Sequence, residues 1–132
     1  RLDKLSKTDK DYATKIAETV IEGNVRSLNK INTSVSTATK IEAVATIAQA
    51  LYLSGAEHEW LDREANTFIT FVQARQLPNN DCNFDLSEEM ILDYGGGIFS
   101  SCEEPSIRVD GVQHWINGVT AYLEYQSMIG TK

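Results

Sequence analysis

The stretch Lys40-Ile41-Glu42-Ala43-Val44-Ala45-Thr46-Ile47-Ala48-Gln49-Ala50-Leu51-Tyr52-Leu53-Ser54-Gly55-Ala56-Glu57-His58-Glu59-Trp60-Leu61 decides the fold. Ile41, Val44, Ile47, Ala48 and Leu51 recur at helical spacing, and Thr39 with Glu42 makes a T-x-x-E capping box, so the pattern predicts a helix over 40–54. Ala43, Ala45, Ala48 and Ala50 leave that helix small-sided almost all round, which predicts packing on more than one face. Gly55 is placed to end it in the left-handed conformation that glycine reaches without strain. A second helix is predicted over 57–76, with Trp60, Leu61, Ala65, Phe68, Ile69 and Val72 as its buried stripe and Pro78 at its exit. The tight link at Gly55 makes the two an antiparallel hairpin.

Working outward, residues 8–32 also read as helix. Thr8 and Asp11 resemble a capping pair, and Tyr12, Ala13, Ile16, Ala17, Val20 and Ile21 form the apolar stripe. Gly23 either stops this helix or is passed through to Val25 and Leu28, at a cost of about 1 kcal/mol. Residues 33–38, TSVSTA, read as a polar connector. Downstream, 77–109 is a long and mostly irregular excursion. Ser87–Tyr94 supplies one short helix there, ended by Gly95-Gly96-Gly97, and Ile107-Arg108-Val109 is the one extended piece. A last helix is predicted over 110–128, capped by Asp110 with Gln113. Val112, Trp115, Ile116, Val119, Tyr122 and Leu123 form its apolar side, and Gly130 closes it. The expectation is an all-α chain of antiparallel helical hairpins, a toroid-like segment or a small bundle, with one long disulfide-tied loop.

The 132 residues fit one domain, and a hydrophobic fraction of 42% with 23% charged residues is that of a globular chain. The net charge of −7 repels phosphate, which argues against nucleic acid and anionic membrane surfaces and leaves neutral, polyhydroxylated or cationic ligands compatible. No apolar run approaches the ~20 residues of a membrane span. The chain opens on Arg1 followed by polar residues, with no initiator Met or signal-peptide pattern. It is expected to be processed, or excised from a longer polypeptide.

Cys82 and Cys102 flank the excursion. They are too far apart for a CxxC motif, and His58 and His114 alone supply a zinc site poorly. A disulfide closing that loop, worth about 3 kcal/mol by chain entropy, is favoured over two buried thiols. It places the protein in a secreted or otherwise extracytoplasmic setting. Asn32-Thr33-Ser34 is a glycosylation sequon of the kind that arises often by chance.

The chemistry-bearing residues gather before the last helix. Arg108 and Asp110 stand at its start, His114 lies one turn in, within reach of Asp110, and Glu103 or Glu104 offers a carboxylate as acid or base. Such a group would position a hydroxylated ligand. The bland reading, a helix cap plus a surface ion pair with His114 solvated or satisfied in the core, is favoured over it. Asp81, Asp85, Glu88, Glu89, Asp93, Glu103 and Glu104 make the excursion strongly acidic. Their spacing matches no EF-hand, so a solvated acidic loop is expected rather than a calcium site. The Gly95–Gly97 run lacks the G-K-[ST] of a phosphate loop, and His58 in H-E-W-L-D lacks the second histidine of a zincin and reads as an exposed first turn. No G-x-S-x-G elbow occurs. Trp60, Trp115 and Tyr122 read as core rather than as sugar-stacking platforms. No metal and no cofactor is expected.

The hairpin Lys40–Gly55 leading to Trp60-Leu61, and the Gly-rich loop feeding Ile107-Arg108-Val109-Asp110 and Gln113-His114, together resemble the α/α toroids, barrels of paired inner and outer helices. The resemblance covers 39–128 in architecture and matches no catalytic signature. It implies a cleft-facing role for Arg108, Asp110 and His114, with Arg108 and Asp110 orienting substrate and His114 assisting proton transfer, and Glu104 as the accompanying carboxylate. A complete toroid has about twelve helices and this chain has four or five, so 1–132 is either a single helical domain or the C-terminal segment of a larger toroid completed by upstream chain. Two functions are expected: a carbohydrate-active protein taking a glycan, or a non-enzymatic module whose acidic loop meets a basic protein surface.

Overall fold

Ser34 to Leu53 form one uninterrupted helix at the centre of the chain, and everything else is arranged around it. A computed structural model describes residues 6–30 and 33–130, leaving the side chains of 23–30 outside the description. Within these bounds lie α1 (Lys7–Lys30), α2 (Ser34–Leu53), α3 (Glu59–Gln73), α4 (Glu88–Asp93) and α5 (Val109–Gly130). Helix is the only extended regular structure among the described residues, with isolated bridges in place of strands. No helix among them is long and apolar enough to cross a membrane. The helix α2 packs against α1, α3 and α5, as its small side chains foretold. Its Ile41, Val44, Ala48 and Leu51 are buried together with Leu61, Phe68 and Val72 of α3. Each large aliphatic side chain so buried contributes roughly 1.5–3 kcal/mol.

The hairpin turn behaves as expected. Gly55 sits at φ 66, Gly55 N–H donates to Tyr52 O at 2.9 Å, and Ala56 N–H donates to Leu51 O at 2.9 Å. This double closure satisfies carbonyls left over at the helix end.

Several expectations are corrected. The polar run 33–38 is not a connector: α2 starts at Ser34, and Thr33, not Thr39, is its N-cap. The β-branched residues tolerate the helix because their hydroxyls bond back within it, Thr37 to Thr33 O at 2.8 Å and Thr39 to Val35 O at 3.1 Å. Ser34, Thr37 and Ala38 are also buried, so tertiary contact overrides propensity. The cap of α1 is Ser6 with Asp9, two residues before the expected Thr8 and Asp11: Asp9 N–H donates to Ser6 Oγ and Ser6 N–H to Asp9 Oδ2, both at 3.2 Å. Tyr12 and Ile16 turn outward while Ala17 is fully buried. Asn32 of the sequon, and the side chains of Val25 and Leu28, lie outside the described residues.

The largest correction concerns α5. Ile116 and Leu123, expected inside, are 58% and 60% exposed. The face turned to the core carries Gly111, Trp115, Gly118 and Tyr125 instead. The reason is steric. A Cβ at Gly118 would lie 3.0 Å from Ile41 Cγ2 and 3.1 Å from the Glu42 backbone nitrogen, and one at Gly111 would lie 3.0 Å from Val35 Cγ2. The absent side chains let α5 settle directly on α2, and that contact outweighs burying Ile116 and Leu123. Gly118→Val is therefore expected to destabilise the fold by roughly 2–3 kcal/mol, the cost of overpacking, read as a lowered urea midpoint with an unchanged slope. Combined with Ile41→Ala, which removes one of the two contacts, the total loss should be smaller than the sum of the two single losses.

Candidate functional site

The excursion 77–108 lies as a flap across the N-terminal end of α2. Three antiparallel bridges seat it: Thr33 with Ser101, Gln76 with Ile98, and Phe99 with Ile107. Ser34 N–H donates to Ser100 O at 2.8 Å, and Leu77 N–H donates to Gly97 O at 2.8 Å. Gly97 is required there, because a Cβ would lie 2.8 Å from Tyr94 O and 2.9 Å from Ile107 Cδ1. The disulfide Cys82–Cys102 is formed, closing a separation of 20 residues.

Arg75, which the sequence reading passed over, pins the flap from beneath. Its side chain is 2% exposed, Nη1 donates to Ser34 Oγ at 3.3 Å, and Nε lies 3.4 Å from Asp81 Oδ1. The guanidinium stacks 4.1 Å from the Phe71 ring centroid. Burial pulls its pKa below the ordinary value, and the Asp81 carboxylate opposes that pull. Its backbone carbonyl accepts Phe99 N–H at 3.2 Å. One buried cation thus ties the end of α3, the start of α2, the disulfide neighbourhood and the return of the flap. Its neighbours Gln73 and Gln76 are polar, so nothing in the sequence around Arg75 marked it as a buried residue.

The expected constellation divides in two. Arg108 and Asp110 do meet, through Nε–Oδ1 at 3.0 Å and Nη2–Oδ2 at 2.7 Å. This fork raises the Arg108 pKa and holds the Asp110 carboxyl below its ordinary range. Asp110 is a first-turn residue of α5 rather than its cap, because the fork to Arg108 draws its carboxylate away from Gln113. His114 does not reach Asp110. Its Nδ1 lies 3.1 Å from Glu42 Oε2 on α2, because the close approach at Gly118 brings that carboxylate within reach. Glu104 faces Arg108 instead, across a polar cleft of about 500 Å³ lined by Thr33, Ser100, Ser101, Glu103, Glu104, Ser106 and Arg108. His114 is not among the residues lining it.

His58 is corrected as well. It is the N-cap residue of α3, and its ring is 12% exposed rather than solvated. Its Nδ1 shares a hydrogen bond of 2.6 Å with the Tyr125 hydroxyl, and the ring packs edge-on against Tyr52 and Tyr125. Beside it, the Tyr122 hydroxyl donates to Asp62 Oδ1 at 2.9 Å, Gln126 Nε2 donates to the same oxygen, and the Tyr52 hydroxyl donates to Met128 O at 2.9 Å. These bonds fasten the C-terminal half of α5 to the α2–α3 turn. Their members are satisfied by one another, as a structural network requires.

The flap also exposes apolar side chains. The helix α4 buries none of its residues, and Leu92 is 82% exposed, with Met90 and Tyr94 also outward. Met90 and Tyr94 join Leu77, Leu86, Phe99, Pro105 and Ile107 around a shallow groove of about 260 Å³. The same flap carries Asp81, Asp85, Glu88, Glu89, Asp93, Glu103 and Glu104 with no Lys or Arg between 77 and 107, so these seven carboxylates equal the whole chain's excess of −7. Asp81 lies beside the Cys82 and Cys102 sulfurs, which are engaged with each other.

No family model, no curated protein and no solved structure matches this chain. The class of protein that the coordinates define is an all-helical bundle with a disulfide-tied acidic flap.

Two measurements check this geometry. Desolvation and the nearby Asp62 push Tyr122 and Tyr125 from 10.0 up to about 12, so the folded state favours their protonated forms. Their contribution to stability is complete below pH 10 and is lost as pH rises from 10 to 12. Ultraviolet titration should find Tyr122 and Tyr125 ionising late, with Tyr122→Phe removing one late step. Replacing both cysteines by serine should cost about 3 kcal/mol in chemical denaturation and should open 77–108 to limited proteolysis ahead of the helices.

Proposed function

We propose that the protein is a non-enzymatic interaction module of an extracytoplasmic compartment, whose acidic flap docks a basic, amphipathic segment of a partner protein. The observation that carries the reading is the coincidence, on one disulfide-held flap, of an apolar groove, an outward apolar helix α4 and the chain's entire charge excess. Apolar anchors supply contact area, and a single-sign rim steers a cationic partner and rejects anionic ones. The disulfide is the basis for the oxidising setting. The Arg108–Asp110 pair, being an exposed and mutually satisfied fork, serves on this reading to fix the start of α5 rather than to catalyse.

The test is selection from a displayed library of helical peptides. The enriched sequences should be net positive with apolar residues at i, i+3 or i+4 spacing. Met90→Asp with Leu92→Asp should weaken the selected peptides by at least about tenfold, as should Glu88→Lys with Glu89→Lys, and 0.5 M NaCl should weaken them further. Anionic or neutral winners, or binding indifferent to both α4 variants, would remove the reading.

A second reading rests on the polar cleft, where Ser100, Ser101 and Ser106 stand with Glu104 and Arg108. Hydroxyls, carboxylates and a guanidinium are the groups that hold a polyhydroxylated ligand, in line with a toroid-like, carbohydrate-active segment. On this reading a glycan array gives hits that Glu104→Gln and Arg108→Ala both abolish, while His114→Ala leaves them unchanged because His114 lies outside the cleft.

A further inference from the structure

The outer face of α5 carries an apolar stripe whose half-buried Val119 reaches the core while Val109, Ile116 and Leu123 stand outward. Val109, Val112, Ile116, Val119 and Leu123 follow the alternating three- and four-residue spacing of a coiled-coil seam. Val109, Ile116 and Leu123 are 84%, 58% and 60% exposed. Beside Val109, Val112, Gln113 and Ile116 is a shallow apolar hollow of about 480 Å³, its lining completed by Ile107 and Asn117. Val109, Val112, Gln113 and Ile116 stand at i, i+3, i+4 and i+7, the four corners of the hole that receives one knob from a facing helix. Leu123, further along the same stripe, is such a knob.

We propose that this stripe binds a second copy of the chain, with the two α5 helices antiparallel and Leu123 of each copy seated in the Val109–Val112–Gln113–Ile116 hollow of the other. The knob and the centre of the hole lie about ten residues apart on one helix, or roughly 16 Å. A twofold axis near Asn117 and Gly118 therefore fills both holes at once and closes the assembly, as an isologous dimer must. Charge selects the same arrangement. The seven flap carboxylates that make up the excess of −7 all precede the N-terminal end of α5. Parallel pairing would set two such flaps side by side, whereas antiparallel pairing holds them at opposite ends of helices about 33 Å long, beyond the screening length of roughly 8 Å at physiological salt. The stripe is flanked by the neutral Gln113, Asn117 and Thr120 and by one carboxylate, Glu124, and antiparallel pairing about that axis keeps the two Glu124 side chains roughly 19 Å apart along the helices. A single helix pair buries less than the ~800 Å² per partner of a standard interface, so a dissociation constant on the order of tens of micromolar is expected. The stripe shares only Ile107 with the flap groove, and Leu123 lies outside that groove, so Leu123→Asp separates this inference from the docking role of the flap.

Sedimentation equilibrium of the intact chain up to 500 µM should show the mass moving towards twice that of one chain, and Leu123→Asp should raise the dissociation constant at least about tenfold while the circular dichroism of the fold is kept. The geometry is read from two single-cysteine variants that retain the native disulfide. A mixture of Gln113→Cys and Leu123→Cys chains should oxidise to a mixed covalent dimer, whereas each variant alone should crosslink little, its own cysteines lying well beyond disulfide reach. A chain that stays monomeric throughout that range overturns the proposal, and so does efficient self-crosslinking of Leu123→Cys alone, which requires parallel helices. Because both replaced residues are exposed, the mixture experiment decides the matter even where Leu123→Asp perturbs folding.

Discussion

The rest of the structure depends on the contact of α5 with α2 at Gly118, where a Cβ would press to 3.0 Å from Ile41 Cγ2 and 3.1 Å from the Glu42 backbone nitrogen. Backbones brought that near exchange dispersion along their whole contact length, and Gly111, seven residues earlier, continues the seam against Val35. The rotation of α5 is thereby set. Trp115 and Tyr125 turn inward, Val109, Ile116 and Leu123 turn outward, and His114 is delivered to Glu42. The start of α5 is set as well, and with it the position of Ile107, which bridges Phe99 and closes the flap.

The flap shows how some thirty residues hold one arrangement with only six of them in a helix. Its backbone groups bond to the ends of α2 and α3, the disulfide shortens the loop, Arg75 supplies a buried cation beneath it, and Phe84 packs edge-on against Phe99 with centroids 4.8 Å apart. Apolar contact on the inner side leaves the carboxylates on the outer side. A surface assembled this way is rigid without having a large core of its own, and its acidity is local while the rest of the chain is balanced. Rigid presentation lowers the entropy lost on binding, which suits a docking surface better than a mobile acidic loop would.

The residues expected to act together are only partly together. Arg108 meets Asp110 because they are two apart across a helix start, a separation local enough to read from sequence. The partnership of His114 with Glu42, and those of His58 with Tyr125 and of Arg75 with Ser34 and Asp81, span between 6 and 72 positions. Each depends on which faces the helices turn to one another, and no periodicity reports that.

By itself the amino-acid order determined that the chain is helical, where its central hairpin turns and that its two cysteines belong together. These follow from the 3.6-residue recurrence of apolar side chains, from the ease with which glycine takes positive φ at position 55, and from the shortage of core around 82 and 102. Tertiary structure alone decided that 34–39 continue α2, because burial of Ser34, Thr37 and Ala38 outweighs the weak helical preference of serine and threonine. It alone decided which side of α5 faces inward, because Gly111 and Gly118 have no hydrophobicity for a pattern to detect and act through the space that they leave empty.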